Sequence, residues 1–106
     1  MNKEQIISIA EKILNEKYRK KRIGVYKDEI EQFRYGWIVY YQSIEYMKTN
    51  KLSDLLIGNG PLVVENEGKK AYYTGANFPD IIEDFTKFKT GQKSIINWED
   101  CAFEFC

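Results

Sequence analysis

Histidine is absent from the 106-residue chain, and cysteine occurs only at Cys101 and Cys106. Histidine is the commonest general base, so its absence removes the Cys–His nucleophile and leaves too few ligands for a structural zinc site. The two cysteines could close a short C-terminal loop, but free thiols are favoured in a reducing compartment. We therefore expect a protein that is not an enzyme and holds no metal or cofactor.

Long apolar runs and a net charge of either sign are also lacking. Sixteen basic and sixteen acidic residues give a formal net charge of zero, whereas nucleic-acid binders usually carry a basic excess. No apolar run is long enough to cross a bilayer, and residues 1–4 lack the apolar segment of a secretory signal. These features argue against nucleic acid or membrane as a partner and predict a cytoplasmic location.

Aromatic residues, in contrast, are abundant: they make up 15% of the chain and include eight tyrosines. A chain of this length is typical of one domain, so we expect residues 1–106 to form a single unit with its own core. So small a core cannot bury every tyrosine with its hydroxyl hydrogen-bonded. Because tyrosine is enriched at protein interfaces, this excess favours binding to another protein as the function.

Helix signals lie at both ends of the chain. Asn2 and Gln5 predict a capping box for an N-terminal helix, which the basic run at residues 18–22 closes. That run is typical of a solvated helix end, and a nucleic-acid or partner patch is the alternative interpretation. A second helix is predicted around Pro79, with Asn77 or Phe78 as its N-cap and Gly91 as its C-cap.

Strand signals fill the middle. Residues 25–33 and 37–43 predict one hairpin across Gly36, and residues 62–65 and 69–74 predict another. Residues 45–60 read as a polar connection that ends in a Gly-Asn-Gly-Pro turn, and the apolar tail after residue 91 is expected to pack back on the domain. The predicted fold class is α+β: an antiparallel sheet of about four strands, with the N-terminal helix and the second helix packed on one face.

Carboxylates cluster at Asp28, Glu29 and Glu31. A glycosidase or a metal-dependent phosphodiesterase could use such a cluster, but neighbours in a strand point to opposite faces and cannot meet over one substrate. A solvated strand edge is the commoner explanation. An enzyme that uses carboxylates or lysine is thus an alternative without a supporting motif.

Two motifs in the middle of the chain have specific composition and spacing. They are YGWIVYYQS at Tyr35–Ser43 and LIGNGPLVV at Leu56–Val64, followed by Glu67-Gly68 and by Tyr73–Gly75. In this order, across residues 5–88, the chain resembles the Imm35 immunity-protein family. The resemblance implies an immunity protein of a bacterial polymorphic toxin system, which binds its cognate toxin in the cytosol and blocks the toxin's active site.

The resemblance does not identify the toxin-facing residues. If the toxin is a nuclease with a basic cleft, acidic groups would steer association, and tyrosines would act as anchors. On that reasoning the predicted partner-binding residues are Tyr26, Asp28, Glu29, Glu31, Tyr46, Glu65 and Glu67. The alternative function is that of a small chaperone-like or adaptor protein, which binds apolar segments of client proteins.

Overall fold

The computed structural model describes residues 2–66, 70–76 and 79–104. Within these ranges the helices are α1 (Lys3–Lys17), α2 (Ile44–Thr49), α3 (Ile81–Lys89) and α4 (Trp98–Cys101). The strands are β1 (Ile23–Val25), β2 (Glu31–Phe33), β3 (Gly36–Val39), β4 (Tyr41–Ser43), β5 (Asn59–Glu65), β6 (Lys70–Gly75) and β7 (Ala102–Glu104). Short 3₁₀ turns lie at Lys27–Glu29 and Leu52–Asp54. The predicted α+β class is confirmed.

The capping box of α1 is present as predicted. The Asn2 side chain accepts a hydrogen bond from the Gln5 amide at 2.9 Å, and the Gln5 side chain accepts one from the Asn2 amide at 2.9 Å. Ile6, Ala10 and Leu14 then follow at helical spacing on one face, and all three are completely buried. The helix therefore begins by local chemistry and is held in place by its apolar stripe.

Two predicted strands are each divided by the fold. The run at 25–33 becomes β1, a 3₁₀ turn and β2, and the run at 37–43 bends at Tyr40 into β3 and β4. β1 pairs with β4 in a two-stranded antiparallel sheet, while the larger antiparallel sheet has the order β2-β3-β5-β6-β7. The Tyr26 amide donates to the Tyr40 carbonyl at 2.9 Å, which holds the two bends together.

The helices cover opposite faces of the large sheet, so the prediction that both pack on one face is wrong. Trp37 and Val39 point to the α1 side, whereas Ile38, between them, belongs to a second core with Phe85 of α3. Successive strand residues face opposite sides. Because both sets on β3 are apolar, each face needs a helix to cover it.

The boundaries of the shorter helices also differ from expectation. α3 begins after Asp80, whose carboxylate accepts from the Glu83 amide at 3.1 Å; Pro79 precedes this cap, and the predicted caps at 77 and 78 lie outside the described residues. α2 interrupts the predicted polar connection, with Ser43 as its N-cap. The C-cap of α3 is Thr90 and not Gly91 as predicted; Gly91 follows the cap in the left-handed region at φ +80°.

The C-terminal segment packs on the α3 face. Trp98 is 1% exposed, and its ring meets that of Phe85 with centroids 4.9 Å apart. β7 pairs with β6 at the sheet edge. Over its described part, the tail thus contacts the α3-side core and pairs with the edge of the sheet. Cys101 is a half-buried free thiol on α4, whereas Cys106 lies outside the described residues.

Candidate protein-binding surface

Three of the predicted carboxylates lie together on the surface, but not on one strand. Asp28 and Glu29 belong to the 3₁₀ turn and Glu31 begins β2, and all three are exposed. With Ile30 and Tyr40 they line a shallow cleft of about 520 Å³. The turn forms because charged, solvated residues gain little from a pleated strand. Within the described ranges, none of the three carboxylates forms an ion pair.

Tyrosine rings border these carboxylates. Burial, followed by the negative charges of Glu31 and Glu29, raises the pKa of the Tyr40 hydroxyl. Burial, followed by Tyr46 and Glu29, raises the pKa of Tyr26. Tyr40 lines the cleft of the three carboxylates, and Tyr26 shares a neighbouring cleft with Glu29, so both rings border the acidic turn. Tyr46 joins the set through Tyr26, whose pKa it affects. We call the set the acidic–tyrosine surface: Tyr26, Asp28, Glu29, Glu31, Tyr40 and Tyr46.

Tyr40 was missed by the sequence prediction of the site. In a continuous strand 37–43 it would alternate with its neighbours and point to one sheet face. Tyr40 does lie on that face, packed at the margin of the core of Ile38 and Phe85. Because it stands at the bend between β3 and β4, its half-buried ring also borders Glu29 and Glu31. Two consecutive tyrosines in the middle of a predicted strand were the only local signal.

A second cleft separates the acidic–tyrosine surface from the segment before β5. It measures about 430 Å³, and its walls include Tyr26, Glu29 and Tyr40 on one side and residues 55–61 on the other. Ile57 at this cleft is 80% exposed, and Leu52, earlier in the same segment, is 76% exposed. The cleft thus combines apolar side chains with a negative rim.

The polar end of β4 fastens that segment to the sheet. Gln42 is 8% exposed; its side chain accepts from the Leu56 amide at 2.6 Å and donates to the Leu56 carbonyl at 3.3 Å. The Ser43 hydroxyl donates to the Asp54 carbonyl. The backbone of this segment is therefore held at Asp54 and Leu56 by side chains of β4.

The other two predicted residues do not join the surface. Glu65 is 5% exposed, and its carboxylate accepts from Lys89 at 2.8 Å and from the Tyr72 hydroxyl at 3.0 Å. It lies on the α3 side of the large sheet, where its charge is already neutralised. Glu67 lies outside the described residues. The acidic–tyrosine surface therefore excludes both Glu65 and Glu67.

The described residues contain no group of three or more cysteine or acidic side chains placed to hold a metal ion. None of the helices in the part of the chain that the structure covers is both long and apolar enough to span a membrane. The surface can thus supply negative charge, hydroxyl groups and aromatic contact area. These are the means by which one protein recognises another.

A family model described as Immunity protein 35, Imm35, matches residues 4–86. The chain belongs to this family. The Imm35 match agrees with the resemblance predicted from the two motifs at Tyr35–Ser43 and Leu56–Val64. No curated protein and no solved structure matches the chain.

The Imm35 match contains the complete acidic–tyrosine surface and ends within α3. Residues 87–106, including Trp98 and β7, lie beyond it. The Imm35 motif residues have structural positions: Trp37 is 7% exposed in the α1-side core, and Gly58 adopts φ +85° at the start of the turn into β5. The family motifs therefore shape the scaffold, while the acidic turn is presented by it.

Proposed function

We propose that this Imm35 protein binds a cognate bacterial toxin domain in the cytosol and neutralises it by covering the toxin's active site. The protein acts through binding alone and catalyses no reaction. Membership of the immunity-protein family supports the class of function, and the acidic–tyrosine surface is the proposed site of contact.

The observation that carries the site is a group of exposed carboxylates with no cation partner among the described residues. Asp28, Glu29 and Glu31 project negative charge beside tyrosine rings and an apolar cleft. Unpaired charge of one sign accelerates association with a partner of the opposite sign, and aromatic rings at the centre of an interface slow dissociation. The partner that fits is a toxin whose active-site cleft is basic, as in a nuclease.

Reversing two of these charges tests the proposal. For Glu29→Lys with Glu31→Lys we expect the association rate constant for the toxin to fall at least tenfold at low salt, on the order of the steering effect of complementary charges. The measurement is stopped-flow or surface binding with the toxin domain encoded beside this chain's gene. Coexpression of the variant should protect cells less well than coexpression of the parent protein.

Glu83→Lys with Glu99→Lys is the matched control, because it makes the same charge change on α3 and α4 at residues that line neither cleft of the surface. This control should bind the toxin and protect cells as the parent does. Unchanged affinity and association rate for the Glu29/Glu31 variant would remove the acidic–tyrosine surface from the proposal. Failure of the parent protein to protect cells would remove the immunity function itself.

The exposed Leu52 and Ile57 favour a second candidate, a chaperone-like or adaptor protein that binds apolar segments of clients. Such a protein would suppress the aggregation of several unrelated denatured proteins. A dedicated immunity protein should protect none of them. Light scattering of heated test proteins, with and without the chain, separates the two candidates.

A further inference from the structure

A basic cleft lies next to the segment that borders the acidic–tyrosine surface. It measures about 410 Å³ and is lined by Lys17 at the end of α1, by the turn at residues 18–21 and by Leu56. Leu56 also lines the cleft beside Tyr26 and Glu29. Leu56 therefore lies between a cleft lined by basic residues and one bordered by Glu29. That second cleft shares Glu29 and Tyr40 with the cleft that Asp28 and Glu31 also line.

The segment that contains Leu56, residues 52–57, is apolar and its backbone is held in place. Leu52 and Ile57 are two of the four large hydrophobic side chains that are exposed in the described residues. Hydrogen bonds from Gln42 and Ser43 hold the segment from the β4 side, and Lys21 donates to the Ser53 carbonyl at 3.4 Å from the α1 side. A surface fixed in this way loses little conformational entropy when it is covered.

Among the described residues, the charged side chains at these clefts form no ion pair. The ion pairs among the described residues are Lys87–Glu83 and Lys89–Glu65, and neither lies at these clefts. Arg19 and Lys20 are exposed at the cleft beside the end of α1, and Glu29 and Glu31 are exposed at the cleft that they line with Asp28 and Tyr40. The net charge of the chain is zero, so this separation of charge does not reflect an overall excess.

A face ordered basic, apolar, acidic is complementary to a second copy of itself. A two-fold axis through the apolar segment sets the basic side of each copy against the acidic side of the other, so every attractive contact occurs twice. We propose that this face, formed by Arg19, Lys20, Leu52, Ile57, Glu29 and Glu31, is the interface of a two-fold symmetric homodimer. Leu52 and Ile57 pack across the axis, and the charged residues flank them.

The proposed dimer interface is small and mostly charged, which is typical of a transient interface. It covers part of the acidic–tyrosine surface, so self-association and toxin binding compete and the monomer is the form that binds toxin. The dimer itself can be tested without any toxin. Its failure would leave the proposed immunity function untouched.

Charge exchange between two variants tests the interface. In sedimentation experiments at low salt, the parent should shift from monomer towards dimer as concentration rises. Arg19→Glu with Lys20→Glu, and separately Glu29→Lys with Glu31→Lys, should each weaken the homodimer at least about tenfold, because like charges then face each other. An equimolar mixture of these two variants should form a heterodimer, because both faces are again complementary.

The control mixture pairs the Arg19/Lys20 variant with Glu83→Lys, Glu99→Lys. The two proteins in this mixture have the same net charges as those in the test mixture. However, one of the two charged contacts across the axis is attractive and the other is repulsive, so no heterodimer should appear. Ile57→Asp, a change at an 80% exposed position, should abolish the homodimer without affecting thermal unfolding. The proposal is wrong if the parent stays monomeric at all concentrations or grows beyond a dimer. It is equally wrong if either charge variant or Ile57→Asp dimerises like the parent, or if the two mixtures behave alike.

Toxin binding by the Arg19/Lys20 variant separates the two roles of this face. The variant loses the proposed dimer but keeps the acidic–tyrosine surface, so it should bind toxin at least as fast as the parent. Loss of toxin binding in this variant would show that the two interfaces do not compete in the way proposed.

Discussion

Replacing Asp84 with alanine is expected to lower the free energy of unfolding by about 3 kcal/mol, since it leaves several donors without a partner. Asp84 is 3% exposed, and its carboxylate accepts from the Ile95 amide at 2.7 Å, the Ile96 amide at 3.0 Å and the Trp98 indole N–H at 3.1 Å. These bonds attach the C-terminal segment to α3. Urea denaturation followed by circular dichroism measures the loss.

Asp84→Asn should lie between the parent and the alanine variant. The amide keeps the shape of the side chain but has one oxygen to accept hydrogen bonds, where the carboxylate has two, and its NH₂ group must face a donor. Asp100→Ala is the control from the same segment, because Asp100 is exposed and, within the described residues, its carboxylate accepts only from Asn97. Its unfolding free energy should stay within about 0.5 kcal/mol of the parent's.

The same carboxylate predicts a pH dependence. Burial by itself raises the pKa of Asp84, but the hydrogen bonds from Ile95, Ile96 and Trp98 and the charge of Lys87 outweigh it, so the pKa lies below its ordinary value of 3.8. The stabilisation is therefore complete above the unfolded-state value and is lost as pH falls through the lower folded-state pKa. The stability difference between the parent and Asp84→Ala should be constant near neutral pH and shrink below about pH 3.8.

An Asp84→Ala protein as stable as the parent at pH 7 would contradict this account. So would rapid exchange of the Trp98 indole proton in the parent, because that proton is bonded to a buried carboxylate. The C-terminal segment would then be only loosely attached to α3, although Trp98 is 1% exposed.

The features that the sequence predicted correctly depend on neighbouring residues. The capping box of Asn2 and Gln5 is complete within one helical turn, so no distant contact can alter it. The acidic turn was also found from local composition, because three carboxylates in four residues are rarely buried. Its conformation was not found, since a 3₁₀ turn and a polar edge strand have similar composition.

The features that were missed depend on distant contacts. Residues 37–43 are aromatic and β-branched throughout, and nothing local marks the bend at Tyr40; it arises because β3 pairs with β5 whereas β4 pairs with β1. Glu65 is chemically identical to Glu29, yet Lys89, 24 positions further along the chain, neutralises it in the interior. Residue type alone cannot separate a buried, paired glutamate from an exposed one.

The need for glycine at position 36 also depends on a distant contact, with the backbone of β5. We expect Gly36→Ala to lower the free energy of unfolding by about 3 kcal/mol or more, because the added methyl group has no space. A Cβ at this position would collide with the Val64 carbonyl oxygen and lie 3.1 Å from the Glu65 Cα. Both atoms are backbone of β5, so no side-chain rotation can relieve the contact, and β3 would have to separate from the centre of the sheet.

Glycine is required at position 36 because β3 and β5 approach each other closely there, and not because of the hairpin turn. Gly36 does not adopt positive φ; it begins β3, opposite Phe33 on one side and Glu65 on the other. Gly75→Ala in β6 is the matched control, because a Cβ there meets nothing within 4 Å. Its stability should be unchanged or rise by up to about 1 kcal/mol, as the unfolded chain loses freedom. Equal denaturation midpoints for Gly36→Ala and Gly75→Ala would show that the sheet tolerates a wider spacing and that the Tyr-Gly-Trp motif has another cause.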